Sequence, residues 1–380
     1  MTSTSESSAR VYWTAFIGLF FDYYDLFLFI YLEKVLAAQF GLSGTESSAL
    51  QFTGLAGVGL GALVFGYLAD RFGRGRIMLA VFGVYLVGVA GLSQAWNYPS
   101  LLGFRLLASL ALGAEWGISH TFLNEQVGRE RSYRFAALLQ LAILGGLLAA
   151  LANKFLLPAW GWRWLFAASL VPVALLSLAR WKMLVKDADR KAGEAGRLGP
   201  ALAANGGPFL LCFALASLTI ASGLVNVFFA KELPQSPFYI VLFWGNLVPG
   251  MLFGVWIVRR GGVRPALAGY AVALIVLSLF AWGSRWDGRK LAFALTLPAL
   301  NGIPFGLMGA YFNEVFGSYR TMLSGAAYNL GRILAGFSPL LITALGLHAG
   351  GNYFLFSAAL GLGVLLLVIW LPANARTSAS

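Results

Sequence analysis

The chain has 380 residues, of which 59% are hydrophobic and only 11% are charged, and its mean hydropathy is +0.76. Soluble domains carry about 25% charged residues, so this composition excludes an ordinary soluble protein and predicts one that is embedded in a membrane. The formal net charge of +12 is expected to face anionic lipid headgroups, and it gives no argument for nucleic acid. The single cysteine, Cys212, excludes an intrachain disulfide.

Apolar segments long enough to span a membrane recur along the whole chain, since a spanning helix needs about 20 mostly apolar residues. The predicted spans are 11–32, 49–69, 77–95, 99–122, 135–156, 163–182, 209–230, 236–258, 265–283, 290–312, 322–345 and 352–371. The sequence therefore predicts an all-α membrane protein with twelve transmembrane helices in two pseudo-symmetric six-helix halves. The N-terminal bundle is predicted at 1–182 and the C-terminal bundle at 209–380. Residues 183–208 form the only long polar segment and are predicted to be a cytoplasmic linker.

The distribution of Lys and Arg predicts the orientation of these helices. Most of the 27 basic residues fall in alternate loops, which are cytoplasmic if the N-terminus is inside the cell. The first ten residues lack a basic region and a cleavage site, so no cleaved signal is predicted. We expect a multi-pass protein of a bacterial plasma (inner) membrane with both termini in the cytoplasm.

Two carboxylates, Asp22 and Asp25, lie one turn apart in the first predicted helix and share a face. Acidic residues inside a membrane are costly and mark ion pathways. Protonation of such a group can be coupled to the movement of a nearby cation. We interpret Asp25, and as second choice Asp22, as a proton-coupling residue. The alternative is that one of them only anchors a neighbouring helix.

A distinctive polar stretch, GYLADRFGRGR at 66–76, follows the second predicted helix. We interpret it as a conformational latch, because a carboxylate in this loop can accept hydrogen bonds from the positive N-terminus of a helix in the other half. The alternative is a basic turn that only fixes the topology. The latch residues are Gly66, Asp70, Arg71, Gly73 and Arg74. Part of the stretch recurs as Gly254, Arg259, Gly261 and Arg264, without the acidic residue, which indicates a duplicated bundle.

The fourth predicted helix carries two further charges, Arg105 and Glu115. A guanidinium stays charged in the membrane, so Arg105 needs a carboxylate, a substrate or water, and its expected protein partner is Asp25 or Asp22. We assign Arg105 and Glu115 to proton coupling. The alternatives are a static ion pair for Arg105 and a local pairing with Arg for Glu115.

The eleventh predicted helix contains Arg332, the only formal charge in the membrane core of the second half. The acidic residues of this half are predicted near the membrane surfaces, and Arg binds carboxylates through two parallel hydrogen bonds. We therefore interpret Arg332 as a binding residue for an anionic substrate, with Asn329 one turn earlier. The alternative is that Arg332 pairs with Asp22 or Asp25. The neighbouring aromatic residues assigned to the same substrate site are Tyr24, Trp116 and Tyr328.

These motifs resemble a known family over nearly the whole chain. The stretch 66–76 is similar to the loop signature that follows the second helix in the major facilitator superfamily. Within that superfamily, Asp22–Asp25, Arg105, Gly113–Gly117 and Asn313–Arg320 resemble the metabolite:proton and sialate:proton symporter group.

The resemblance implies proton-coupled uptake of a small organic acid, with Asp25 and Arg105 in the coupling. Arg332 resembles an arginine on the eleventh helix of carboxylate- and sialate-type carriers. The chain departs from the group's pattern at Ala114, where Gly is usual, and at Gly317, where Pro is usual.

We expect a secondary active transporter that imports a small organic anion with protons by alternating access. The alternative is a proton-coupled symporter of a neutral or zwitterionic solute, such as a sugar or an osmolyte, or a drug/proton exchanger. The sequence contains no nucleotide-binding motif of the G-x-x-x-x-G-K-[ST] type, so an ion gradient is the expected energy source.

An enzyme is not expected, because His120 and His348 are the only histidines and lie far apart in the sequence. No catalytic residue, metal or cofactor is predicted, and the proton gradient supplies the coupling ion. The expected partners are a small organic anion, protons and the lipid bilayer, with no nucleic acid, and the chain is expected to be a monomer.

Overall fold

The computed structural model describes residues 2–127, 131–188, 198–232, 237–283, 290–347 and 351–372. Within these ranges every regular element is a helix, and Leu141–Leu144 form one short 3₁₀ segment. The α-helices are α1 (Thr2–Phe40), α2 (Gly44–Phe72), α3 (Arg74–Ser93), α4 (Tyr98–Val127), α5 (Ser132–Gln140), α6 (Gly145–Phe155), α7 (Leu157–Ala188), α8 (Leu198–Glu232), α9 (Pro237–Gly245), α10 (Leu247–Gly261), α11 (Val263–Gly283), α12 (Lys290–Val315), α13 (Arg320–Ala335), α14 (Ser338–Ala344) and α15 (Tyr353–Trp370).

Ten helical stretches among the described residues are long and apolar enough to cross a membrane. They coincide with ten of the twelve predicted spans. The other two predicted spans, 290–312 and 322–345, correspond to α12 and to α13 followed by α14.

Three predicted spans are broken rather than continuous: 135–156, 236–258 and 322–345. The breaks fall at Leu141–Leu144, Asn246 and Gly336–Phe337. At the last break, the Gly336 N–H donates to the carbonyl of Arg332 at 2.9 Å. Pro339 then lies in the first turn of α14, where its missing N–H costs nothing. Mean hydropathy over a window of about 20 residues does not register such local changes of backbone direction.

Helical structure also extends beyond the predicted spans. α1 begins at Thr2 and ends at Phe40, α7 continues to Ala188, and α8 begins at Leu198. Much of the predicted linker at 183–208 is therefore helical, and its residues 189–197 lie outside the described part of the chain. Helix forms here although residues 199–208 contain three Gly and two Pro, which have low helix propensity. The predicted domain boundaries stay a prediction.

The residues group into two compact units by proximity. Unit 1 comprises the described residues within 1–130, 139–201 and 318–329. Unit 2 comprises those within 131–138, 202–317 and 330–380. The first part of α13 therefore packs with unit 1, although it lies far along the sequence.

Glycines allow the closest helix packing within each unit. In unit 1, a β-carbon on Gly61 of α2 would collide with the carbonyl of Leu110, and one on Gly113 of α4 would collide with the carbonyl of Val58. In unit 2, β-carbons on Gly250 and Gly302 would collide with backbone carbonyls of α12 and α10. Small residues thus bring helix backbones into direct contact, as is common in membranes.

Candidate functional site

Asp25 is buried in unit 1 and is held by two hydroxyl groups. The Tyr85 hydroxyl on α3 donates to Oδ2 of Asp25. Ser169 on α7 places its Oγ 3.1 Å from Oδ2 and 3.2 Å from Oδ1 of the same carboxylate. Only 6% of Asp25 is exposed. A buried carboxylate needs hydrogen bonds to offset its lost hydration, and here two neutral side chains provide them.

Arg105 lies close to Asp25 without forming a direct ion pair. Its Cζ is 3.7 Å from the centroid of the Phe29 ring, a favourable cation–π arrangement. A β-carbon on Gly54 would lie 2.8 Å from Nε of Arg105, so the glycine makes room for the guanidinium. Among the described residues, the Nε atom of Arg105 has no hydrogen-bond partner.

The two predicted carboxylates and Arg105 line one small cavity. Its volume is about 10 Å³, and Tyr85 and Ser109 also line it. This volume is close to the minimum for a single water molecule. The structure therefore brings together Asp22, Asp25 and Arg105, three of the four residues assigned to proton coupling.

Glu115, the fourth of these residues, lies elsewhere on α4 and does not line that cavity. Ten residues separate it from Arg105, which is about 15 Å along a helix. Its Oε1 accepts a hydrogen bond from Ser119 at 2.6 Å, and a β-carbon on Gly18 of α1 would lie 2.8 Å from the same oxygen. Within the described part of the chain its Oε2 has no hydrogen-bond partner.

Gln140, which is not among the predicted site residues, is the centre of a buried hydrogen-bonded network in unit 1. Its Oε1 accepts from the indole N–H of Trp116 at 3.1 Å and lies 3.2 Å from Nε2 of His120. Its Nε2 donates to the Tyr23 hydroxyl at 2.9 Å. The sequence signal for Gln140 is a single amide within the apolar stretch 135–152.

The aromatic residues assigned to the substrate site separate into two places. Trp116 and Tyr328 stack face to face, with ring centroids 3.9 Å apart and an interplanar angle of 2°. Tyr24 instead donates its hydroxyl to the carbonyl of Leu165 at 2.8 Å. Trp116 and Tyr328 therefore form one flat aromatic pair beside Gln140, and Tyr24 is engaged with α7.

Asn329 and Arg332 lie on the second half of α13. The Nδ2 of Asn329 donates to the carbonyls of Gly113 at 2.9 Å and Gly325 at 3.0 Å, and the side chain is buried. Its amide N–H groups are thus engaged with α4 and with its own helix. Arg332 is half-buried in the last turn of α13 and belongs to unit 2.

Asp70 caps the N-terminus of α13 within unit 1. Its Oδ1 accepts from the backbone N–H of Thr321 at 3.2 Å, and its Oδ2 accepts from that of Met322 at 2.9 Å. Arg74 donates to Oδ1 of Asp70 at 2.9 Å and lies 3.3 Å from Oε1 of Glu125. The carboxylate thus meets the positive end of a helix dipole and a guanidinium.

The other residues of the stretch 66–76 have local roles in the structure. A β-carbon on Gly66 would lie 2.7 Å from Cα of Met322, so this glycine lets α13 approach α2. Gly73 ends α2 with a φ of +96°, which favours glycine. Arg71 is exposed and donates to the Tyr67 hydroxyl at 2.7 Å. That these contacts act as a latch stays a prediction.

Membrane-spanning helices that enclose acidic and basic side chains are typical of ion-coupled membrane transporters. The sequence model of the Major Facilitator Superfamily matches residues 15–328, and the chain belongs to this superfamily. It is therefore a transporter and not an enzyme. The family predicted from the motifs is confirmed.

Curated relatives share about a quarter of their residues with this chain. The cis,cis-muconate transport protein of Acinetobacter baylyi is 27% identical over 376 aligned positions, and the alignment covers 91% of this chain and 89% of the relative. The gallate transporter of Pseudomonas putida is 28% identical over 417 aligned positions, and the alignment covers 91% of this chain and 89% of the relative.

Among solved structures, the proton:xylose symporter XylE of Escherichia coli superimposes with a TM-score of 0.77 at 17% identity, covering 97% of each chain. At this identity the likeness concerns the fold alone. The predicted twelve-helix major facilitator fold is confirmed.

Proposed function

We propose that this transporter imports a small organic anion together with protons. The observation that carries the proposal is the cavity lined by Asp22, Asp25 and Arg105 inside the membrane-spanning helices of unit 1. Ionisable groups buried at such a place mark ion pathways. The names of the relatives, which are carriers of muconate and gallate, support an organic acid as the substrate.

In this proposal Asp25 is the group that takes up and releases the transported proton. As a carboxylate, Asp25 attracts Arg105 across the cavity and holds the surrounding helices in one arrangement. Protonation removes the negative charge and with it this attraction, so that a different arrangement becomes accessible. A proton can shift the conformational equilibrium only by as much as its affinity differs between the two arrangements.

The substrate carboxylate is proposed to bind Arg332, whose guanidinium can make two parallel hydrogen bonds to it. Asn329 lies one turn earlier on the same helix, and its Oδ1 has no hydrogen-bond partner among the described residues. The names of the relatives that carry muconate and gallate point to planar conjugated acids. We therefore propose a planar unsaturated or aromatic carboxylate as the substrate class.

The proposed location is the inner membrane of a bacterium, with both termini in the cytoplasm. The concentration of Lys and Arg in alternate loops of the sequence supports this orientation. A monomer is the proposed functional state, because unit 1 contains the complete cavity around Asp25 and Arg105.

Uptake by proteoliposomes under an imposed pH gradient tests the proposal. The panel contains muconate, gallate, aliphatic mono-, di- and tricarboxylates, sialic acid, sugars and betaines. We expect proton-driven accumulation of a planar acid, a loss of the proton-driven component in Asp25→Asn, and a more than 10-fold weaker substrate affinity in Arg332→Ala.

Two matched variants serve as controls. Glu46→Gln removes a carboxylate that only caps α2 together with Ser43. Arg260→Ala removes a guanidinium that lies over the Trp256 ring on α10. Both are expected to transport like the unmodified protein. Accumulation of neutral solutes only, or proton-driven export of a lipophilic cation, would refute the organic-anion proposal and favour a neutral-solute symporter or a drug/proton exchanger.

A further inference from the structure

Asp25 receives its hydrogen bonds from two side chains that are not among the predicted site residues. We infer that Tyr85 on α3 and Ser169 on α7 are positioning residues that stabilise the ionised form of Asp25 and thereby set the pH at which this group accepts its proton. Their part in transport rests on the proposed proton coupling. Their effect on Asp25 itself follows from the contacts.

The contacts of Tyr85 are specific to the carboxylate. Its hydroxyl donates to Oδ2 of Asp25, and Tyr85 is only 3% exposed. A hydrogen bond to a charged acceptor is about twice as strong as one between neutral groups. The bond therefore stabilises the carboxylate more than it stabilises the protonated acid.

Ser169 has one hydroxyl proton and two acceptors within reach. Its Oγ lies 3.1 Å from Oδ2 of Asp25 and 2.9 Å from the carbonyl oxygen of Phe166. A serine hydroxyl donates one hydrogen at a time and can rotate to suit its acceptor. When Asp25 is ionised the proton can point to the carboxylate. When Asp25 is protonated the Ser169 proton can turn to the carbonyl of Phe166, so the serine hydroxyl has an acceptor in either state.

Within the described residues, the direct hydrogen bonds to the Asp25 carboxylate come from the two hydroxyls and not from a charged group. No nitrogen of Arg105 lies within 4.0 Å of an Asp25 oxygen in the described structure. On the other helices packed against α1, Arg163 of α7 donates to the carbonyl of Ala95, and Lys154 of α6 is exposed at the end of its helix. The titratable and charged residues that face Asp25 are Asp22 and Tyr24 on α1, Tyr85 on α3 and Arg105 on α4.

It follows that proton uptake by Asp25 does not need a broken ion pair as its first step. Arg105 contributes a positive charge at some distance, held over Phe29, and the hydroxyls provide the direct contacts. Removing either hydroxyl destabilises the carboxylate relative to the acid, so Asp25 accepts its proton at a higher pH.

A pH titration of the full-length reconstituted protein by infrared difference spectroscopy tests this without any substrate. The carboxyl band of Asp25 is identified as the one that Asp25→Asn removes. We expect Tyr85→Phe to move the midpoint of this band upward by about one pH unit, which corresponds to about 1.36 kcal/mol. Ser169→Ala is expected to move it upward by less, because Ser169 shares its proton with Phe166, and Ser169→Thr is expected to restore it.

Two substitutions elsewhere serve as controls. Tyr270→Phe removes a buried tyrosine hydroxyl that contacts Ser222 and Asn301 in unit 2. Ser177→Ala removes a hydroxyl of α7 that donates to the carbonyl of Val173. Neither touches Asp25, and both are expected to leave the midpoint unchanged. An unchanged midpoint in both Tyr85→Phe and Ser169→Ala would overturn the inference.

The pH profile of uptake separates this inference from the proposed function. If uptake is proton-driven and needs Asp25, but its profile is the same in Tyr85→Phe, the inference fails and the proposed function stands. If no acid is accumulated and the infrared midpoint still moves, the assignment of Tyr85 and Ser169 to Asp25 stands and the proposed function fails. A shift of the pH profile without a matching loss of substrate affinity supports both.

Discussion

Replacing Asp70 by Asn should weaken the contact between α2 and the start of α13. The carboxylate accepts from two backbone N–H groups and from Arg74. An amide has one acceptor oxygen and no charge, so one N–H loses its acceptor, which costs about 1 kcal/mol. Loss of the charge at the helix N-terminus costs about another 1 kcal/mol.

Asp70→Asn also removes the ion pair with Arg74. The removal of a buried charge offsets that loss, so the net cost of separating α13 from α2 falls by about 2 kcal/mol. This corresponds to about a 30-fold increase in the population in which α13 has separated from α2, because each ~1.4 kcal/mol is tenfold.

Thiol labelling measures this population directly. Met322 is 6% exposed and packs against Gly66, so Met322→Cys reports on the separation. Cys212, the only native cysteine, is buried and is replaced by Ser. A maleimide should react about 30-fold faster with the Asp70→Asn variant than with the same reporter alone. Glu46→Gln should leave the rate unchanged. Equal rates in the Asp70→Asn variant and its parent would refute the reasoning.

Two further substitutions test the packing within unit 1. Gly113→Ala places a methyl group against a backbone carbonyl of α2 and should lower the free energy of unfolding by about 3 kcal/mol or prevent folding. Gly103→Ala, at a helical position with open space around it, should not lower the free energy of unfolding and should raise it by up to about 1 kcal/mol through helix propensity. Chemical denaturation in detergent checks both, and equal stabilities of the two variants would contradict the argument. Gln140→Leu removes three hydrogen bonds, including that to the Trp116 indole. It should lower the free energy of unfolding by about 3 kcal/mol and change the tryptophan fluorescence. The same change at the exposed Gln39 should leave the stability unchanged. An unchanged unfolding curve for Gln140→Leu would show that the network adds no stability.

Composition and motif spacing were sufficient to predict the fold class and the family. An apolar segment of about 20 residues in lipid favours an α-helix, because a helix satisfies every backbone polar group within the segment. The breaks at Asn246 and Gly336–Phe337 are not predicted, because they change the backbone direction while the mean hydropathy of the surrounding segment of about 20 residues stays apolar.

The candidate site could be predicted only where it carries charge. Asp22, Asp25 and Arg105 are conspicuous in apolar sequence, and the structure places them around one cavity. Tyr85 and Ser169 are ordinary residues of membrane helices, and only the packing of α3 and α7 against α1 brings their hydroxyls to Asp25. Such a contact depends on the rotation of three helices about their axes, which no local sequence pattern specifies.

The junction between α2 and α3 consists of a single residue, Gly73. One glycine with a positive φ is all that separates the two helices, so no flexible loop lies between them. A rotation of one helix about its axis must therefore move the other. The basic residues beside Gly73, Arg71 and Arg74, are themselves helical, so their height relative to the lipid headgroups is fixed by the helices. A peptide tag inserted at this junction would have to unwind a helix end, whereas the longer connections of a membrane protein tolerate insertions.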